Sequence, residues 1–276
     1  MITRLSILVE NTALMPGLLG EHGLSMLIEH SGRTLLFDTG QGLALPHNAE
    51  RLGVAWERIE AIALSHGHYD HTGGLAYALG QAPQARLFMH PAAEGAHVSR
   101  RGGTLRDIGM PPDVRAAVKA HAANGICTEG PTEVIPGVWI SGSIPRVKQG
   151  PPGDSALFSD AAGMVPDTVP DDQSLWMETD EGLVVLLGCA HSGLENTLRH
   201  VRASTGETSI ACVIGGMHLA HADAALVEQA ADVLKSFGVR RVAPGHCTGL
   251  AAQYLLRERF GDGFRPCGAG MRLEWA

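Results

Sequence analysis

The sequence predicts an α/β fold in which strands and helices alternate in layers. Three observations carry that expectation. Apolar runs rich in Val, Ile and Leu recur along the 276 residues, helical patterns separate them, and 35 Gly and 15 Pro supply the turns. At 45% hydrophobic the chain can bury a full core, as one large domain or two small ones. The first strand is Leu5–Val9, and Glu10 and Asn11 end it before it could serve as the apolar region of a signal peptide. Leu24–Glu29, Thr34–Phe37, Ala61–Ser65 and Arg86–Met89 follow as strands. Residues 90–130 read as helical but broken by Gly and Pro, with Arg100, Arg101 and Arg106 close together. After a strand at Val138–Ser141, residues 141–174 hold Pro145, Pro151, Pro152, Pro166 and Pro170 with little periodicity. A connection that long is functional or mobile. Both segments are read as insertions covering one edge of the sheet within a single domain, 1–276. Leu183–Gly188, Ala211–Gly215 and Arg240–Ala243 complete the strands. The best helix, Ala222 to Phe237, sets Leu226, Ala230, Val233, Leu234 and Phe237 on one face.

Composition excludes several partners. A formal charge of −8 offers no basic footprint for nucleic acid, and no apolar run reaches the length of a membrane span. Five cysteines, an odd number without a Cys-x-x-Cys pair, argue against a disulfide framework and for a reduced, cytoplasmic setting. The oligomeric state is not readable from the sequence.

The run Ser65-His66-Gly67-His68-Tyr69-Asp70-His71-Thr72-Gly73-Gly74 sets three imidazoles and a carboxylate within six residues, directly after an apolar strand. Imidazole nitrogen and carboxylate oxygen are borderline ligands that suit zinc, with manganese or iron also fitting. A tight turn there lets His66 and His68 face one metal while Asp70 and His71 face a second. Two more histidines share the local grammar of His71, in which a strand ends, a His appears, and Ser or Thr precedes a helix. His191 is followed by Ser192-Gly193, and His246 by Cys247-Thr248-Gly249. The hydroxyls are expected to cap the helices, and Ser192 with Glu195 has capping-box spacing. Strand ends of an α/β sheet gather on one edge, so these histidines can converge on one metal cluster. Cys189 and Cys247 read as small buried residues, with metal ligation or a reactive thiol as the sharper alternative.

Phe37-Asp38-Thr39-Gly40, the His66–His71 motif with its Thr-Gly-Gly tail, His191 and Pro244-Gly245-His246 together resemble the metallo-β-lactamase superfamily. The resemblance implies a four-layer αββα sandwich with metals at one edge. It also implies that His66, His68 and His191 hold the first metal and Asp70, His71 and His246 the second, with Asp38 orienting the motif loop. Gly188-Cys189-Ala190-His191-Ser192-Gly193, Ile214-Gly215-Gly216-Met217-His218-Leu219, Ser141–Arg146 and Leu8–Asn11 resemble one branch of it. That branch contains an archaeal synthase joining a dihydropterin to β-ribofuranosylaminobenzene 5′-phosphate, and many uncharacterised hydrolase-like proteins. One departure stands out. Most dinuclear members have an Asp between the third and last His motifs that bridges both metals. Here that stretch holds only Asp223 and Asp232, neither at a strand end. His218 is at one, as a substitute ligand to one metal or as a structural histidine.

A metal lowers the pKa of its water to about 7, which makes hydroxide available for attack on a carbonyl or phosphorus. The first expectation is therefore a metal-dependent hydrolase, phosphodiesterase-like, acting on a small phosphorylated or ester-type anion through one or two zinc ions. Asp70 would position the nucleophile as well as ligate. Arg106 and Arg146 are the candidate substrate-binding cations, against the alternative of a solvated face. The branch adds a transferase that releases pyrophosphate, and a metal-holding sensor without turnover is the non-enzymatic alternative.

Overall fold

The structure, a computed structural model, describes residues 2–148 and 156–275. Residues 149–155, with Pro151 and Pro152 of the second predicted insertion, lie outside the described residues, as do Met1 and Ala276 at the ends of the expected domain. In chain order, β1 (Thr3–Val9), β2 (Ser25–His30) and β3 (Arg33–Phe37) form an antiparallel meander. Helix α1 (Ala44–Leu52) crosses over to β4 (Ile59–Ala63), and α2 (Tyr69–Thr72) with α3 (Leu75–Gln81) to β5 (Arg86–Met89). A hairpin of β6 (Val98–Arg101) and β7 (Thr104–Asp107) leads into α4 (Pro112–Ala120) and β8 (Gly125–Cys127). The second half runs β9 (Thr132–Ile135), β10 (Val138–Ile140), β11 (Leu157–Phe158), β12 (Ser174–Thr179) and β13 (Gly182–Leu187). It continues through α5 (Leu194–Thr205), β14 (Ile210–Gly216), α6 (Ala224–Ser236), β15 (Arg241–Gly245), α7 (Leu250–Phe260) and β16 (Arg272–Trp275).

These strands make a seven-stranded sheet, β16-β1-β2-β3-β4-β5-β8, and a six-stranded one, β15-β14-β13-β12-β10-β9. Because side chains alternate across a strand, each central strand serves two cores at once. Leu35 and Phe37 of β3 and Leu186 of β13 point into the layer between the sheets, with Met177 and Ile214. Their neighbour Leu36 faces outward onto Leu45, Leu75 and Val114 under α1, α3 and α4. Val185 likewise faces outward onto Leu198, Val227 and Leu256 under α5, α6 and α7. Helices thus cover both outer faces of the paired sheets, and the fold is the expected αββα sandwich. Among the described residues no helix is long and apolar enough to cross a membrane.

Three expectations change. Residues 90–130 do not form one broken helix: β6 and β7 join β11 in a small separate sheet, whereas α4 and β8 are built into the main body. The predicted irregular segment ends in a strand, β12, whose first four residues are all buried. A strand buried on both faces has no alternation to read. The helix expected from Ala222 starts at Ala224 because the Asp223 carboxylate accepts the Leu226 N–H at 2.9 Å, capping it. Its fully buried residues are Val227, Ala231 and Leu234, with Leu226, Ala230 and Val233 flanking them.

Candidate metal centre

The parallel strands β3 and β4 of one sheet and β13, β14 and β15 of the other end on one edge, and the candidate residues follow those ends. Asp38 follows β3, the His66–His71 loop follows β4, and Cys189 and His191 follow β13. His218 follows β14 and His246 opens a short turn after β15. Asp38, Ala190, His218 and His246 all have positive φ, between 50° and 58°, out of six such non-glycine residues among those described. Left-handed backbone costs an L-residue roughly 1–2 kcal/mol, so the fold holds these side chains in place against local preference.

The Ser and Thr that follow the histidines do not cap the helices as expected. The glycines after them hold the N-cap positions of α3, α5 and α7, and Gly193 and Gly249 have φ of 91° and 75° that a Ser or Thr would adopt only under strain. The hydroxyl residues tie loops instead. Thr72 Oγ1 donates to the His68 carbonyl at 3.0 Å, Thr248 Oγ1 accepts the Met217 N–H at 3.1 Å, and the Ser192 N–H donates to Asp172 at 2.7 Å.

Asp38 is wholly buried and accepts three hydrogen bonds: from the Ser65 N–H at 2.7 Å, the Ser65 hydroxyl at 2.7 Å and His71 Nδ1 at 2.7 Å. This network fixes tautomers. With its proton on Asp38, Ser65 Oγ accepts from His66 Nδ1 at 2.9 Å, so the lone pair of His66 lies on Nε2. Asn11 Oδ1 accepts the Gly23 N–H, which orients that amide, and His246 Nδ1 donates to the same oxygen at 3.0 Å. The lone pair of His246 therefore also lies on Nε2, facing His71 Nε2 at 3.1 Å. His66 Nε2 faces His68 Nδ1 at 3.0 Å, and the buried His191 Nε2 has no partner.

Among the described residues two groups share Cys189, namely His66, Cys189 and His191, and His71, Cys189 and His246; His22, Asp70 and His246 form a third and His68, His97 and Asp167 a fourth, the ligand atoms of each within 4.8 Å of one another. His68 adjoins the first group. Asp70 adjoins the second, its Oδ2 3.3 Å from His246 Nε2 and 3.2 Å from His22 Nε2. Tetrahedral zinc would set two nitrogen ligands about 3.3 Å apart and a nitrogen and a sulfur about 3.6 Å apart. The 3.0 and 3.1 Å nitrogen pairs, and the 3.2 Å between Cys189 Sγ and His71 Nε2, are within a few tenths of those spans. The electrostatics agree. Burial drives His68 down to about 3 and holds His66 and His191 well below the ordinary imidazole range, so all three stay neutral donors of a lone pair. Burial also pulls His71 down, but Asp38 and Asp70 outweigh it and leave it raised to about 9. Asp70, despite burial, is held well below the usual carboxylate range by His71, His22 and His246. The carboxylates thus demand a positive charge at His71 Nε2, which a divalent cation supplies as well as a proton does.

Cys189, for which the sequence left metal ligation open beside plain burial, belongs to both of the first two groups. Other contributors have no signal in the sequence. His22, on a loop with no motif, reaches Asp70. Glu10, 1% exposed, accepts the His246 N–H at 2.7 Å, so the first strand's end and Asn11 set the last histidine. Asp171 and Asp172 are fully buried and brace the other two loops, through Gly67 N–H and Ser192 N–H, each at 2.7 Å. Consecutive acidic residues in a Pro-rich stretch ordinarily signal a solvated loop; only their burial marks them. His218 is exposed and packs its ring against His191, 4.6 Å between centroids, outside both groups. Arg106 extends over the Tyr69 ring at 5.0 Å and lines a cleft of about 790 Å³ together with His22, Asp70, His191, His218 and His246. Arg146 instead donates to the His191 and Thr168 carbonyls and braces the His191 loop.

A sequence model of the metallo-beta-lactamase superfamily matches residues 19–246. The chain is 27% identical over 265 residues to the 7,8-dihydropterin-6-methyl-4-(beta-D-ribofuranosyl)-aminobenzene-5'-phosphate synthase of Methanocaldococcus jannaschii, covering 92% of this chain and 90% of that one. An uncharacterized protein of the same organism is 30% identical over 249 residues, covering 90% and 91%. Among solved structures, Tm1679, described as a metal-dependent hydrolase of the beta-lactamase superfamily, is similar with a TM-score of 0.82, 30% identity and 98% of both chains covered.

Proposed function

The chain belongs to the metallo-β-lactamase superfamily, and on that premise we propose that it is a metal-dependent hydrolase of a small phosphorylated or ester-type anion. One observation carries the proposal: six candidate ligand residues meet, with imidazole nitrogens facing one another at 3.0 and 3.1 Å, beside an open cleft. The fold implies a divalent metal, and these donors fit one. His66, His68 and His191 would hold the first ion and Asp70, His71 and His246 the second, with zinc the ion we assign. When bound, such ions supply a nucleophile at neutral pH and stabilise developing negative charge.

The chain's own residues do the rest. Asp70 stays ionised between His22 and His246, so its Oδ2 can accept a proton from an attacking water. His22, raised by its hydrogen bond to Asp70, holds a proton on the cleft side. Arg106, held over Tyr69 at the cleft wall, offers a planar fork to an anionic group.

The 27% identity with the synthase favours a second reading, transfer onto an aminobenzene ribofuranosyl phosphate with loss of pyrophosphate from a dihydropterin diphosphate. Metal content by elemental analysis, followed by assays on phosphodiesters, esters and the pterin pair, separates the readings. Hydrolysis consumes water; transfer releases pyrophosphate only when both substrates are present. For either enzyme Asp70→Ala should lower turnover by about 100-fold or more. A pure metal sensor would show no turnover in the wild type to lose.

A further inference from the structure

Neither Asp between His191 and His246, nor His218, is placed to link the two halves of the metal centre. Of the two Asp between His191 and His246, Asp223 is occupied capping α6 and Asp232 pairs with Arg259. His218 lies outside both groups, and an imidazole nitrogen has one lone pair, enough for one ion. Cys189 is different. It is 4% exposed, at the end of β13, with left-handed Ala190 between it and His191. Its Sγ is 3.2 Å from His71 Nε2 and within 4.8 Å of the ligand atoms of His66 and His191 on one side and of His246 on the other.

We propose that the Cys189 thiolate is the bridging ligand of a dinuclear centre, shared between the His66/His191 and His71/His246 groups. This rests on the metal-dependent reading above and names the ligand that the motif histidines lack. A thiolate sulfur carries three lone pairs and can bind two ions at once. Ligation releases the thiol proton to solvent, so the balance is one S–H exchanged for two S–metal bonds. A soft bridge favours zinc, iron(II) or cobalt(II) over manganese or magnesium. The competing role for Cys189 is a plain S–H donor to His71.

The test uses the full chain loaded with zinc or cobalt(II). With two zinc ions bound, X-ray absorption at the zinc edge should show about one sulfur per zinc at about 2.3 Å. Half a sulfur per zinc, none, or a single bound ion overturns the bridge. With two cobalt(II) ions bound, the wild type should show near-ultraviolet thiolate-to-cobalt charge transfer. Cys189→Ser should abolish it and bind the second ion at least tenfold more weakly, whereas Cys247→Ser should keep it. A band that survives Cys189→Ser, or follows Cys247, overturns the proposal. Should Cys189→Ser fail to fold, the absorption measurement on the wild type decides alone. A chain that takes up no metal defeats the metal-dependent reading itself, and this inference with it; metal uptake without sulfur ligation defeats only the inference.

Discussion

Asp38 and Asp172 are both buried carboxylates one step behind the candidate ligands, and their partners differ. Asp38 meets a hydroxyl, an N–H and an imidazole, whereas the contacts of Asp172 are the backbone and side chain of the His191 loop. Burial raises Asp172 to about 6, with the hydrogen bonds from Ser192 opposing it. Its folded pKa therefore lies above the unfolded value of about 3.9, and the folded chain binds the extra proton between them. The contribution of this residue to stability is full below about pH 4, falls as pH rises to about 6, and is level above. Two units correspond to about 3 kcal/mol at most. Unfolding of the chelated wild type and Asp172→Asn across pH 4–7 checks this. The wild type should lose stability relative to the variant over that window, and parallel curves would contradict it. At this scale the sequence was legible where residue type announces chemistry, as in the His66–His71 run. At Cys189 it left ligation open beside plain burial, and it was not legible at Glu10 or Asp172, whose side chains are ordinary until folding buries them beside a candidate ligand.

Between elements, the recurring strand–His–Gly junction was readable, but its mechanics were not. Ser192 and Thr248 match a capping pattern in sequence, yet tight turns give the cap position to Gly193 and Gly249 and release the hydroxyl residues to tie loops. The hairpin of β6 and β7 shows a similar division. Its Ser99, Arg101, Thr104 and Arg106 line the cleft, and β11 completes its sheet. If this hairpin selects anionic substrates, Arg106→Ala should raise KM about tenfold, with kcat nearly unchanged and a weaker dependence on salt. Steady-state kinetics at two ionic strengths reads both effects, and an unchanged KM would remove Arg106 from substrate binding. Arg100, in the same cluster by sequence, lies over Phe158 and donates to the Gly163 carbonyl, so adjacency alone did not separate the two roles.

Across the whole molecule, the candidate ligands come from both sheets, and the same apolar layer that joins those sheets sets how closely His66 and His71 of one approach His191 and His246 of the other. A metal bound there stabilises the native state over an unfolded chain that lacks the site. At a free-ion concentration 1,000 times Kd this amounts to about 4 kcal/mol. Chelation should then lower Tm by on the order of 10 °C for a chain of this size, restored by zinc and visible in calorimetry. An unchanged Tm after verified metal removal would mean the site is uncoupled from folding. By itself the sequence determined the layered α/β class, the αββα expectation and the histidines at the strand ends, because periodicity and ligand spacing are local properties. Tertiary structure alone decided that Cys189 stands between the two groups, that His218 stands aside, and that Asn11 and Glu10 orient His246 from the opposite end of the chain. Those are contacts between residues far apart in sequence, and no local pattern encodes which of them the packing of two sheets will bring within hydrogen-bonding distance.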